Sequence, residues 1–189
     1  MSQAQSPVFV SLEFTPNPNT LKYVVNRQLL PAGAANFKNE TDAQRSPLAK
    51  KLFAVPGVAG VMVGRDFVTV TKGDAGDWEA LNRDSTRIIK EHVTAGEPVV
   101  DADFFAATGV AGGNSEIEDK IRKILDDQIR PAVAMDGGDI TFDRFEDGVV
   151  YLHLQGSCAG CPSSTATLKM GIETRLKEAI PEIVSVESA

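Results

Sequence analysis

The chain has 189 residues, which is enough for one large domain or two small ones. Its formal net charge of −7 argues against a nucleic-acid-binding protein, and it contains no run of about 18 apolar residues that would predict a membrane-spanning helix. The first seven residues resemble neither a secretion signal nor an Arg-rich transit peptide. We therefore expect a cytoplasmic protein, or a mitochondrial-matrix protein if the chain is a processed mature form.

The first 101 residues are predicted to form a small α+β domain. Apolar runs bounded by Pro, Asn and Gly indicate strands and turns, while apolar residues at helical spacing indicate helices. The predicted elements are strands at 8–14 and 21–25, a helix from Ser46 to Pro56, a hairpin over 58–63 and 67–71, and a helix over 77–93.

A Gly-rich stretch, Thr108-Gly-Val-Ala-Gly-Gly-Asn114, follows the first domain. Small residues without periodic hydrophobicity are typical of a flexible connection. We predict a linker over residues 102–114, with a separate domain on each side.

Residues 115–189 are predicted to form a second small α+β domain in the order α-β-β-α-β. Ser115 and Glu118 match a capping box at the start of its first helix, and Pro131 is expected to end that helix. The other predicted elements are a turn at 135–139, strands at 140–145 and 149–154, a helix over 163–179 and a strand over 183–186. Both helices are expected to pack on one face of a small mixed sheet.

The only two cysteines, Cys158 and Cys161, form a CxxC motif. The motif falls between a predicted strand and the start of the helix over 163–179. The N-terminus of a helix presents free N–H groups and a partial positive charge, both of which favour a thiolate. Flanking Gly156 and Gly160 allow backbone amides to approach sulfur closely.

Three chemistries are compatible with this motif: an iron–sulfur cluster shared by two subunits, a dithiol–disulfide oxidoreductase, and a zinc site shared across a dimer. Two thiolates complete neither a zinc site nor a cluster, because each usually has four ligands. The late position of the motif disfavours a thioredoxin-like protein. A pair of buried, inert cysteines is disfavoured by the Gly, Ser and Pro neighbours.

Other polar residues are expected to have structural roles. His153 is predicted to be a partly exposed strand residue rather than a ligand. Asp136 and Asp139 are predicted to hold a turn rather than to form an acid–base pair. No Ser/His/Asp arrangement, phosphate loop or glycine fingerprint is present, so we expect the protein not to be an enzyme.

Two segments of the second half carry a family resemblance. Met135-Asp-Gly-Gly-Asp139, followed by a strand pair and then Gly156-Ser-Cys-Ala-Gly-Cys-Pro-Ser-Ser164, resembles the C-terminal domain of the NifU/Nfu family. This similarity runs from about Ser115 to Val186. Upstream, Glu13-Phe-Thr-Pro-Asn-Pro-Asn-Thr-Leu-Lys22 is similar to the N-terminal domain of Nfu proteins, which would span roughly residues 8–95.

The resemblance implies an iron–sulfur scaffold or carrier. Such proteins hold a [4Fe-4S] cluster between two subunits, here through Cys158 and Cys161 of each, and pass it to apo iron–sulfur proteins. A [2Fe-2S] cluster would need the same four thiolates. An upstream assembly protein would supply the cluster, the loaded form would be a homodimer and the apo form a monomer. We expect exposed cysteine ligands, because thiolates of an acceptor must compete with them.

Overall fold

The computed structural model describes residues 6–31, 33–104, 116–159 and 162–189, with the side chains of 162–164 left aside. The chain divides into two compact units, one holding the elements up to Ala95 and the other those from Glu116 onward. Both units combine helices with a sheet, which confirms the predicted α+β class. The predicted linker over 102–114 falls mostly outside the described residues, and so does the helix cap at Ser115.

A five-stranded antiparallel sheet forms the first unit, with strand order β1-β2-β5-β4-β3. Its strands are β1 (Val10–Phe14), β2 (Thr20–Val25), β3 (Ala35–Phe37), β4 (Val58–Val63) and β5 (Phe67–Lys72). Four of these match predicted strands. The edge strand β3 was not predicted, because three residues are too few to show an alternating pattern.

Among the described residues, the first unit also contains the helices α1 (Pro47–Phe53) and α2 (Trp78–Ala95), and a short 3₁₀ turn precedes α1. The Ser46 hydroxyl caps α1 by accepting a hydrogen bond from the Ala49 amide at 3.0 Å, as the sequence predicts. Gly96 ends α2 in the left-handed conformation, with φ of 68°. Leu52 and Ile89, one from each helix, are fully buried in the hydrophobic core of this unit.

The second unit has the predicted α-β-β-α-β order and a three-stranded mixed sheet. Strands β6 and β7 pair antiparallel, and β7 pairs parallel with β8. Its main elements are α3 (Glu116–Ile124), β6 (Gly138–Glu146), β7 (Val149–Gly156), α5 (Pro162–Ala179) and β8 (Ser185–Ser188). Ile121 of α3 and Leu176 of α5 are buried with Ile140 and Leu152 of the sheet, so the helices cover one face.

The expected helix end at Pro131 is wrong. After α3 the backbone widens into a π-helical segment, Leu125–Ile129, and continues as α4 (Arg130–Met135). The Arg130 amide donates to the carbonyl of Leu125, five residues back. Pro131 then lies in the first turn of α4, where its missing N–H is not needed, so the chain continues past it.

Candidate functional site

Cys158 lies in the turn that follows β7, four residues before α5 begins at Pro162. The thiol thus precedes a helix N-terminus, as the sequence predicts. Partial positive charge at such an end stabilises a nearby thiolate or anionic cargo. Gly160 and Cys161 lie outside the described residues, so the pairing of the two thiols at one centre stays a prediction.

Cys158 is buried, with only 6% of its surface exposed. It belongs to the hydrophobic core of the second unit, and Val133 and Leu168 line the same hollow. The expectation of an exposed ligand is therefore wrong for this cysteine. The Gly and Ser neighbours suggested a solvent-facing loop, but the residue opposite it on β6 leaves room for sulfur.

That residue is Gly138, the first residue of β6. A β-carbon built on Gly138 would lie 2.2 Å from the Cys158 Sγ and 3.1 Å from its Cβ. No real β-carbon tolerates a distance of 2.2 Å to a sulfur atom, so any side chain at this position would displace the thiol. Gly138 is thus required by the close approach of its backbone to Cys158.

Hydrogen bonds join the cysteine turn to the turn that precedes β6. The buried Ser157 hydroxyl donates to the carbonyl of Asp136, and the Ser157 amide donates to the carbonyl of Gly137 at 3.1 Å. Gly137 has φ of 76°, a left-handed conformation that glycine adopts without strain. The Asp-Gly-Gly motif therefore supports the cysteine turn, which confirms the structural role predicted for it.

The two acidic residues of this motif have different partners. Asp136 contributes its backbone carbonyl, whereas the buried Asp139 carboxylate accepts two hydrogen bonds of 2.8 Å from the Nε and Nη2 atoms of Arg130. Arg130 also donates to the Asp126 carboxylate at 2.9 Å. Hydrogen bonding to Asp139 raises the pKa of the Arg130 guanidinium, so the guanidinium is always charged. It ties α4 to β6 beside the cysteine turn.

Neither histidine takes part in this arrangement. His153 of β7 is exposed and lies 3.5 Å from the Asp143 carboxylate, as expected of a strand residue facing solvent. His92 of α2 is buried in the first unit, where its Nε2 lies 3.2 Å from the Pro98 carbonyl. Its Nδ1 lies 3.2 Å from Lys51 Nζ. Burial, and secondarily the Lys51 charge, lower the pKa of His92.

Several residues of the site were not predicted as individual contributors. Asn17, predicted only as part of a turn, donates from its side-chain amide to the carbonyls of Ser157 and Ala159 at 3.4 and 3.2 Å. Gly138 was placed in a turn, but its contact with Cys158 crosses from β6 to the end of β7. Arg130 was not identified, because its pairing with Asp139 depends on the π-helical segment. The available signal was the adjacent pair Gly137-Gly138, which indicates an unusual backbone requirement on both residues.

Within the part of the chain that the structure describes, no three His, Cys, Asp or Glu side chains gather into a group that could hold a metal ion. No helix within the same residues has the length and apolar character needed to cross a membrane.

Comparison with known proteins gives matches over both units. A family model described as a NifU-like domain matches residues 121–187, and one described as the scaffold protein Nfu/NifU N-terminal domain matches residues 10–96. A solution structure of a NifU-like protein from Saccharomyces cerevisiae aligns with a TM-score of 0.48 and 26% identity, over 54% of this chain and 92% of that one.

Full-length relatives match across most of the chain. The human protein named "NFU1 iron-sulfur cluster scaffold homolog, mitochondrial" is 42% identical over 95% of this chain and 71% of its own length. The Arabidopsis thaliana protein named "NifU-like protein 5, mitochondrial" is 40% identical over 95% of this chain and 67% of its own length. The chain therefore belongs to the NifU/Nfu family, with an Nfu N-terminal domain followed by a NifU-like domain.

Proposed function

We propose that this protein is an iron–sulfur cluster scaffold that holds a [4Fe-4S] cluster between two copies of the chain and transfers it to apo-proteins. The observation that carries this proposal is the CxxC motif, which contains the only cysteines of a NifU/Nfu chain and precedes α5. The name of the human relative, an iron–sulfur cluster scaffold homolog, supports carriage of a cluster rather than dithiol exchange.

The number of thiolates supports sharing between two copies. An iron–sulfur cluster usually takes four protein ligands, and one chain supplies only Cys158 and Cys161. Two chains supply four thiolates, which suffice for a [4Fe-4S] cluster and equally for a [2Fe-2S] cluster. Because the metal–thiolate bonds would join the copies, the loaded protein is a homodimer and the apo-protein a monomer.

The surroundings of Cys158 suit temporary binding. Its thiol is packed against Gly138 in the structure, so it has to leave the core before it ligates iron. When the cluster departs, acceptor thiolates replace the four cysteine ligands, the released sulfurs take up protons, and Cys158 can return to the core. The packing of the Cys158 thiol in the core thus offsets part of the binding energy of the cluster and favours its release.

This role is carriage rather than catalysis. The acceptors are apo iron–sulfur proteins, and an upstream assembly protein supplies the cluster. The first unit contains no cysteine, so we assign it to partner selection. Deleting residues 1–105 should leave cluster assembly intact but slow delivery to some acceptors. Unchanged delivery to every acceptor tested would refute this assignment.

The proposal is tested by anaerobic reconstitution with iron and sulfide, followed by size-exclusion chromatography with iron, sulfide and protein assayed across the peak. We expect a brown dimer with about four irons per two chains. Cys158→Ala and Cys161→Ala should each abolish it, while Thr94→Ala, a change on the exposed face of α2, should not. A colourless monomer whose thiols cycle to a disulfide would instead establish the oxidoreductase alternative.

A further inference from the structure

Over residues 165–174 of α5 the exposed positions carry no charge, since the two charged residues there, Lys169 and Glu173, are half-buried. Thr167, Met170, Gly171 and Thr174 recur at helical spacing on the side opposite the buried Ile172 and Leu176. All four are exposed, and Met170 has 71% of its surface open to solvent. Such a face, apolar or neutral instead of charged, is unusual for a helix that meets only water.

Gly171 adds a second, independent observation on this face. A β-carbon built there meets no atom within 4 Å, so packing within the chain does not require glycine. Glycine in the middle of a helix weakens that helix relative to alanine. Its missing side chain therefore suits the close approach of a surface outside the chain, next to an exposed methionine that can adapt to it.

The proposed function identifies that surface. The cysteine site of one chain is incomplete, and the two further thiolates come from a second copy. Because the cysteines immediately precede α5, the two copies bring the N-terminal ends of their α5 helices together. Two helices packed side by side in parallel lie about 8–10 Å apart, which places both cysteine turns at one end of the pair. An antiparallel pair would separate the turns by about the 27 Å length of an 18-residue helix.

We propose that two copies of the chain pack in parallel along the face formed by Thr167, Met170, Gly171 and Thr174, with the cluster at the N-terminal ends of both helices. This inference rests on the proposed function and specifies its dimer interface. The exposed charged residues of α5 begin beyond this face, at Arg175, Lys177 and Glu178, which limits the contact to the half of α5 nearest the cysteines. Lys169 and Glu173 precede them, but both are half-buried and form ion pairs within the chain.

Such a contact is small. A few side chains from each copy bury far less than the roughly 1,000 Å² of a stable interface, so the helices alone do not hold the dimer together. They orient the two cysteine turns, and the metal–thiolate bonds supply most of the association energy. A small orienting face therefore agrees with an apo-protein that is monomeric.

The test uses the full chain with opposite charges at Met170. In a parallel pair the two Met170 side chains face each other, so Met170→Glu and Met170→Lys should each weaken the cluster-loaded dimer about tenfold by like-charge repulsion. An equal mixture of the two variants should recover the dimer and its iron. Thr94→Lys, on the exposed face of α2, is the matched control and should behave as wild type.

Each outcome separates the two proposals. If both Met170 variants load and dimerise like wild type, the interface is wrong and the shared cluster stands. If the wild-type chain takes up no iron, the proposed function fails and this inference fails with it. Gly171→Gln, which favours the helix while filling the face, should also lose the dimer, and a dimer that is unaffected by it would likewise overturn the interface. Far-UV circular dichroism of the apo variants verifies that α5 is retained.

Discussion

The two units each pack an 18-residue helix on a sheet, but the outward faces of these helices differ. On α2 that face carries Glu79, Arg83, Arg87 and Glu91, spaced by one turn, and Arg87 lies 3.3 Å from Glu91. On α5 the corresponding positions near the cysteines carry Thr, Met and Gly. A charged face is sufficient for a helix that meets water, and the uncharged face of α5 is the observation behind the dimer interface proposed above.

The hydrophobic cores of the two units also differ. Among the described residues, the hydrophobic core of the first unit consists of aliphatic and aromatic side chains, whereas that of the second includes the Cys158 thiol. The Asp139–Arg130 ion pair lies at the same end of the second unit. Both features adjoin the turn that carries the cysteine.

The largest effect is expected from breaking the ion pair. Asp139→Ala leaves the Arg130 guanidinium with Asp126 as its remaining carboxylate partner, and should lower the free energy of unfolding of the second unit by about 2–3 kcal/mol. The measurement is urea unfolding followed by far-UV circular dichroism. Asp127→Ala, an exposed carboxylate in the same segment, should cost less than about 0.5 kcal/mol. An equal loss of stability in the two variants would show that the buried ion pair contributes no more than an exposed carboxylate.

The next effect comes from a single methyl group beside the thiol. Gly138→Ala places a carbon within 2.2 Å of the Cys158 Sγ and should lower the free energy of unfolding by about 1–3 kcal/mol. Removing the sulfur with Cys158→Ala should recover part of this loss, as a double-mutant cycle measures. A purely additive double variant would contradict the contact.

Replacing glycine by alanine on α5 should raise the free energy of unfolding instead of lowering it. Gly171→Ala introduces a methyl group into open space and removes a helix-interior glycine, so it should raise the free energy of unfolding by about 1 kcal/mol. Thermal unfolding of the apo-chain measures this gain. A loss of stability would show that Gly171 is needed within the chain, and would remove one observation behind the helix interface.

The smallest effect concerns pH and the first unit. The pKa of buried His92 lies below its ordinary value of about 6.5, so the unfolded chain binds more protons just below that pH. The stability contributed by neutral His92 is therefore fully present above about pH 6.5 and is lost as the pH falls toward the lowered pKa of the folded protein. Between pH 7 and pH 6 the free energy of unfolding should fall by less than about 1 kcal/mol.

Trp78, the only tryptophan, begins α2 and reports unfolding of the first unit by fluorescence. The urea midpoint should fall as pH is lowered, and His92→Gln should flatten this dependence while reducing stability at pH 7. His153→Gln, in the second unit, serves as the control and should leave the Trp78 profile unchanged. A profile that His92→Gln does not alter would refute the assignment to His92.

The sequence predicts most of the fold because its signals are local. Alternating apolar residues, Ser46 before Pro47 and the Gly-Gly turn each act within a few residues, and the structure confirms them. The predictions that were wrong concern features that depend on distant or competing contacts. Pro131 indicates a helix end, but the π-helical segment before it allows the helix to continue.

The site shows the same limit. The CxxC spacing singles out the two cysteines, the Asp-Gly-Gly motif predicts the supporting turn, and the family resemblance implies an iron–sulfur cargo. The burial of Cys158 was not predictable from its neighbours in sequence, because the space for its sulfur is made by Gly138, twenty residues earlier and on another strand. The pairing of Arg130 with Asp139 similarly depends on how the chain turns between α4 and β6.

The central claim is that one cluster joins two chains. Native mass spectrometry of the anaerobically reconstituted full chain tests it most directly, because the mass gives chains, irons and sulfides in one species. We predict a species of two chains with about four irons and four sulfides, with no comparable species for Cys158→Ala. A single chain that carries metal alone, or a single chain two protons lighter with an internal disulfide, would contradict the account.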